Sequence, residues 1–227
     1  MNRRHFISAL AAARLSGAED KPGLLLPTDQ PDEFGFRLMW YSPVAPVDQI
    51  KYRLNVSGLV NKPLALSVAD LHKLPREKQN SRMKCVQCWS GRADWDGFRF
   101  GHLLEMTKPQ NTAKAVRIDC ADKWYEYFTI EDLLKPRVMF VLGMAGTPLP
   151  DRHGAPLRLI DPSRYGYKSA KLITSIKFVE TGKGSMACDI GPYYSPTGEI
   201  LPGYDTPQDL AGGKIKRKIK GGEITEY

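Results

Sequence analysis

Arg82-Met83-Lys84-Cys85-Val86-Gln87-Cys88-Trp89-Ser90-Gly91 is the stretch that decides the reading of this chain. Met83 to Gln87 leans apolar and predicts a strand leading into a turn at Cys85. A thiolate offered from a rigid strand end is a soft ligand, suited to a thiophilic metal. Arg82 and Lys84 favour the ionised sulfur. On composition alone, a buried structural cysteine is the commoner explanation of Cys85. Cys85 and Cys88 also form a C-x-x-C, the spacing of a dithiol redox pair or half a zinc site. No second C-x-x-C or H-x-x-H completes a zinc site, and Trp89, not His, follows Cys88, which excludes covalent haem attachment. With only Cys120 and Cys188 besides, the sequence supports no disulfide framework.

A second block has the chemistry of an anion site. It runs His153-Gly154-Ala155-Pro156-Leu157-Arg158-Leu159 and continues as Tyr165-Gly166-Tyr167-Lys168-Ser169-Ala170-Lys171. A planar guanidinium makes two charge-assisted bonds to a phosphate, so Arg158 is a natural anchor. Gly166 permits close backbone approach, amides near Tyr167 and Lys168 can donate to an anion, and Lys168 adds a point charge. His153, beside a Gly-Pro turn, is either a surface histidine or a ligand contact.

Between these blocks the chain alternates short elements. Tyr52, Leu54 and Val56 predict a strand ending at Gly58, and Ser67-Val68-Ala69-Asp70 predicts a capped helix through Leu74, stopped by Pro75. Phe100 to Met106 predicts a helix, and Val116, Ile118 and Cys120 a strand. Thr129-Ile130-Glu131-Asp132 opens another capped helix that ends before Pro136. Val138 to Leu142 is a continuous apolar run, read as a buried strand, and Leu172, Thr174, Ile176 and Phe178 mark a last strand. Short strands mixed with short helices and turns predict an α+β fold.

The Cys-Val-x-x-Trp-Ser pattern at Cys85 and the Arg158 to Lys171 block together resemble the molybdopterin-binding domain of the sulfite oxidase superfamily. They are most like the periplasmic methionine sulfoxide reductase catalytic subunits, over roughly residues 48 to 180. The resemblance implies a fold of mixed β-sheets with short helices, without the C-terminal immunoglobulin-like dimerisation domain of sulfite oxidases proper. It implies a molybdenum-molybdopterin cofactor whose one protein metal ligand is Cys85. It assigns Arg158, Gly166, Tyr167 and Lys168 to the cofactor, sets His153 against the pterin, and brings Cys120 to a position that touches it. The implied reaction is two-electron oxygen-atom transfer, reducing an S-oxide or N-oxide. A sulfite oxidase or dehydrogenase-type enzyme is the alternative. A cofactor-free binding module on the same fold and a Cys85–Cys88 dithiol protein are readings from other classes. Three positions depart from the pattern. Gln87 stands where the sulfoxide reductases carry glutamate, and a neutral amide is no carboxylate proton donor. The Gly-Asn-Arg stretch of sulfite oxidases is missing. Phe36-Arg37 is followed by Leu38-Met39 where the family places Asn or His.

The 227 residues carry a net charge of +8, and 42% hydrophobic content fits a globular core. No apolar run is long enough to span a bilayer. Arg3-Arg4 before an Ala-rich run resembles a twin-arginine signal over residues 1–18, which implies periplasmic export of the folded, loaded protein; without it the protein is cytoplasmic. Residues 19–48, rich in proline, are read as an extended arm, 49–181 as the cofactor domain and 182–227 as a C-terminal extension. Lys214 to Lys220 carries five positive charges, read as a solvated tail or a docking patch. Without aromatic interleaving or a recognition motif, nucleic acid is not an expected partner. No haem or iron–sulfur motif is present, so an external electron-transfer partner, haem- or quinone-linked, is expected. The substrate is a small-molecule oxide or a protein-bound sulfoxide, and a monomer is expected over a dimer.

Overall fold

The structure, a computed structural model, describes residues 23–86, 90–182, 184–191 and 194–200, with the backbone of 204–205 and 217–218. The twin-arginine segment, Gln87, Cys88, Trp89, Tyr193 and the side chains of the basic tail lie outside the described residues.

Two sheets carry the fold, the first mixed and the second antiparallel. In the first, β1 (Leu54–Gly58) pairs antiparallel with β2 (Leu64–Leu66) and parallel with β10 (Ile173–Val179). Strands β5 (Ala115–Cys120) and β6 (Tyr125–Thr129) complete the order β2-β1-β10-β5-β6. In the second, β3 (Glu77–Lys84) pairs with β4 (Ser90–Phe98), and β4 with β7 (Met139–Met144). Strands β8 (Thr147–Pro148) and β9 (Arg158–Ile160) both pair with β7, at opposite ends. Four short helices, α1 (Val68–His72), α2 (Phe100–Thr107), α3 (Ile130–Leu134) and α4 (Met186–Ile190), join the strands, and β11 (Tyr204–Asp205) pairs with β12 (Arg217–Lys218). The α+β expectation holds.

β7 shows why the apolar run exists. All six of its residues are buried, and successive side chains point to opposite faces. Phe140 and Leu142 join the main core with Phe98, Phe100, Ile176 and Phe178. Met139, Val141 and Met144 join a second core with Met83, Trp95, Phe36 and Leu38. Phe36 and Leu38 come from the irregular segment 23–48, which covers the outer face of the second sheet. Gly91 makes that cover fit: a Cβ there would lie 2.5 Å from the Phe36 ring.

The capped helices form where their signals stand. The Ser67 side chain accepts from Asp70 N, and Asp70 reaches back to Ser67 N, although α1 ends at His72 and not at Leu74. The strand leading to Cys85 differs more. β3 starts six residues earlier than the apolar pattern and stops at Lys84, because its long polar half, Glu77 to Arg82, is held by backbone pairing to β4 and not by burial. A register shift between Ile173 and Ser175 breaks the expected alternation in β10, so Thr174 leaves the core face.

Candidate functional site

Cys85 is the first residue past β3, half-buried. A parallel bridge from Lys84 to Tyr165 lays the second sequence block against this strand end. Val86, Tyr165 and Ile200 form a small core there, with Cys85, Tyr167 and Tyr194 packed on it. Tyr165 and Tyr167 stack, and Tyr194 meets Tyr167 edge-on at 5.2 Å. A Cβ on Gly166 would come within 3.3 Å of Met83, so glycine allows the turn to sit this close to β3.

Met83, two residues before Cys85, packs in the second core, where its sulfur meets Arg158. The Arg158 guanidinium is buried on β9, where Nη1 donates to the His153 carbonyl at 2.9 Å and Nη2 approaches Met83 Sδ at 3.5 Å. It also lies over the Trp95 ring, and its Nε has no hydrogen-bond partner among the described residues. Burial pulls the Arg158 pKa down to about 9, and Asp32 alone offers opposing charge. The group stays charged at neutral pH.

His153 is wholly buried, edge-on to Phe34 and Phe36. Its Nε2 is 2.9 Å from Asp32 Oδ2, but the two are not aligned as a hydrogen bond. Burial first, then Arg158, lowers its pKa to about 3, so the ring is neutral. It is therefore not a surface histidine: its ring is buried with both nitrogens lacking hydrogen-bond partners among the described residues, and its carbonyl holds Arg158.

Lys171, at the end of the second block, carries no sequence signal that separates it from Lys168. Its ammonium donates to the Met39 carbonyl and sits 3.7 Å from the centroid of Trp40. Burial and the Arg158 charge lower its pKa to about 7. Its backbone N–H reaches Cys120, whose buried thiol is pushed up, chiefly by desolvation, and stays protonated. Trp40 Nε1 and Arg37 Nε are buried without partners among the described residues. Arg158 and Trp40 thus bring buried N–H groups without partners among the described residues, and half-buried Lys171 adds positive charge near them, with Asp32 and Asp122 as the opposing charges. An acceptor-rich anion fits that donor set, as a pterin phosphate would.

Lys168 behaves differently. Its side chain is fully buried, and its ammonium donates to the Glu126 carboxylate, to the Tyr127 carbonyl at 3.0 Å and to the Pro196 carbonyl at 3.1 Å. Its backbone N–H donates to Tyr165. All its donors are engaged within the protein, so the point charge expected for an anion is already matched. Glu126 also accepts from Trp124 Nε1 at 2.9 Å and Ser185 Oγ at 2.6 Å; burial raises its carboxyl to about 7, against the pull of Lys168. Neither Glu126 nor Ser185 carried a signal in sequence, because both act through tertiary contact.

Among the described residues no group of three or more His, Cys, Asp or Glu side chains is placed to hold a metal, and no helix is long and apolar enough to cross a membrane. A single thiolate as the only protein ligand is compatible with the first observation.

Comparison with known proteins gives the family. Residues 41–186, which include both blocks, match the oxidoreductase molybdopterin binding domain. The protein-methionine-sulfoxide reductase catalytic subunit MsrP of Campylobacter jejuni is 33% identical over 146 residues, 57% of this chain and 49% of that protein. The putative protein-methionine-sulfoxide reductase subunit YedZ1 of Azospira oryzae is 36% identical over 133 residues, 59% of this chain and 51% of that one. MsrP of Xanthomonas campestris is 32% identical and aligns with 75% of this chain and 58% of its own. The chain spans about half the length of these relatives. Among solved structures, the sulfane dehydrogenase SoxCD of Paracoccus pantotrophus superposes with a TM-score of 0.59 at 16% identity, over 95% of this chain and 59% of that one, which shows a shared fold. The expected superfamily, fold and molybdopterin cofactor agree with these matches, and the chain belongs to the family of oxidoreductase molybdopterin-binding domains.

Proposed function

We propose that this chain is a molybdenum-molybdopterin oxidoreductase that reduces an S-oxide, with the Cys85 thiolate holding the metal. The observation that carries the reading is buried Arg158, whose Nε has no partner among the described residues, lying against Met83 of the strand that stops just before Cys85, with Lys171 adding positive charge nearby. The relatives named as methionine sulfoxide reductases support a sulfoxide, small or protein-bound, over an N-oxide.

When bound, the cofactor supplies the two-electron chemistry at molybdenum. The chain supplies the rest. Arg158 and Lys171 neutralise the cofactor's anionic end, and Trp40 Nε1 adds a donor. The His153 carbonyl holds the Arg158 fork, so the guanidinium keeps one orientation. Cys120 contributes a neutral thiol beside Lys171, an apolar contact and not a second ligand. Tyr165, Tyr167, Tyr194 and Ile200 shield the Cys85 side from water. Reduction of a sulfoxide takes two electrons and two protons and releases the sulfide and water. The electrons come from an external haem- or quinone-linked partner. With Gln87 in place of a carboxylate, the protons come from solvent at the substrate face. The enzyme works as a periplasmic monomer, exported through the Arg3-Arg4 signal.

Protein made in a molybdopterin-competent host is expected to hold stoichiometric molybdenum, and Cys85→Ser to lose it. Reduced dye with methionine sulfoxide is expected to turn over, and sulfite with an acceptor is not. Wild-type protein without molybdenum overturns the assignment, and turnover of sulfite alone reverses the direction of reaction.

A further inference from the structure

Lys168 and Glu126 are the charged pair that the proposed reaction does not use, and their contacts have a pattern. We infer that this buried pair is a clasp that seats the C-terminal segment over Cys85, making both positioning residues.

The acceptors of Lys168 come from two separate parts of the chain. Glu126 and the Tyr127 carbonyl belong to β6, and the Pro196 carbonyl belongs to the segment after α4. Glu126 in turn accepts from Trp124, just before its strand, and from Ser185, the cap of α4. The clasp therefore grips the C-terminal segment at Ser185 and at Pro196. Tyr194 lies between these two points, and Ile200 just beyond the second. Both pack in the cluster that includes Cys85.

Other contacts follow the same line. Tyr165 N donates to the Gly198 carbonyl at 2.8 Å, and Tyr167 Oη to the Ser195 carbonyl at 2.7 Å. Gly198 has φ +66, and a Cβ there would lie 2.6 Å from Lys168 Cγ, so the chain passes directly over the lysine stem. Lys168 also sits 4.6 Å from the centroid of Phe128, on the same strand as Glu126. A charge this deep is held only if its partners stay in place, so the pair fixes the geometry of everything attached to it. The C-terminal cover contributes little apolar burial of its own: Ile200 is its one fully enclosed large apolar side chain among the described residues. Without the clasp, the cover is a candidate for local opening while both sheets persist.

The contacts stand by themselves; their bearing on turnover rests on Cys85 as the metal-holding thiol. The test is therefore made on cofactor-free full-length protein. The alkylation rate of Cys85 by iodoacetamide is measured by mass spectrometry, with fragmentation separating Cys85 from Cys88 and with Cys120, in the main core, as internal reference. Lys168→Met is expected to raise the Cys85 rate about tenfold or more, and Ser185→Ala a few-fold, with Cys120 unchanged. Unchanged Cys85 in both variants overturns the clasp, and so does a parallel rise at Cys85 and Cys120, which would mean general loosening. Should Lys168→Met not fold, Ser185→Ala decides alone. Molybdenum content of Cys85→Ser, measured separately, judges the functional assignment, so the two failures are distinct.

Discussion

Lys168 and Lys171 are three residues apart, in one turn, with the same side chain and opposite surroundings. Lys168 meets a carboxylate and two carbonyls, and its charge is balanced inside the protein. Lys171 meets one carbonyl and an aromatic face, and desolvation first, then the Arg158 charge, lowers its pKa to about 7 against the pull of Asp122. A buried charge that is matched holds structure together. A half-buried charge near another of the same sign weakens the fold, and such a group is a candidate for ligand binding. The contrast distinguishes a structural cation from a candidate ligand-binding one.

The largest effect should fall on the matched lysine. Lys168→Met leaves Glu126 buried without its counter-ion, and breaking a buried pair on one side costs about 3–5 kcal/mol. Denaturant unfolding of cofactor-free protein at pH 8 should show this loss. Near pH 5 the loss should shrink, because burial already raises Glu126 to about 7 and the lone carboxyl then takes a proton. Lys171→Met, in the same assay, should cost under about 1 kcal/mol or stabilise. Equal losses for the two variants would erase the distinction.

Cofactor retention should reverse the ranking. Arg158→Met and Lys171→Met should each weaken it by about 10–100-fold, the scale seen when supporting groups around a bound metal centre are removed. Arg158→Lys should not restore it, since a point charge lacks the planar fork. The readout is molybdenum per protein after extended dialysis. A Lys168→Met variant that stays folded should keep the pterin's anionic end bound. If Lys168→Met sheds the cofactor as readily as Lys171→Met, the sequence-based assignment of Lys168 to the cofactor is the better one.

How far sequence reaches is visible in the same two lysines. Residue type, glycine spacing and the neighbouring Arg158 mark the whole Tyr165 to Lys171 turn as anion-binding, and the strand bridge at Tyr165 brings that turn to Cys85. Which lysine faces the ligand depends on where Glu126 lies, forty-two positions away. No local pattern reports that. β3 shows the same limit in the fold. Its polar half reads as loop, and becomes strand only because β4 supplies the hydrogen bonds. β7 is legible because burial on both faces leaves a continuous apolar run. The turn at His153 suggests a surface ring as readily as a ligand-facing one, and the arm residues Phe34, Phe36 and Asp32, distant in sequence, bury it. The capped helices α1 and α3 were legible because capping is local chemistry.

The smallest effect is also the one that reads Lys171 most directly. Its pKa is near 10.4 in an unfolded chain and about 7 here. Between those values the unfolded state binds the proton and the native state does not, so stability from this group rises as pH rises. Below about pH 7 both states are protonated, and the full penalty of holding the charge beside Arg158 is present. Lys171→Met removes that penalty. The variant should therefore be more stable than wild type at pH 6, by about 1 kcal/mol for a partly solvated group, with the advantage shrinking toward pH 9. Denaturant midpoints of cofactor-free protein at pH 6 and pH 9 measure the difference. A constant gap would mean that Lys171 does not titrate in this range. A gap that widens with pH would mean that Asp122 outweighs Arg158 in setting its charge, and the cluster would then be matched in the way that Lys168 is.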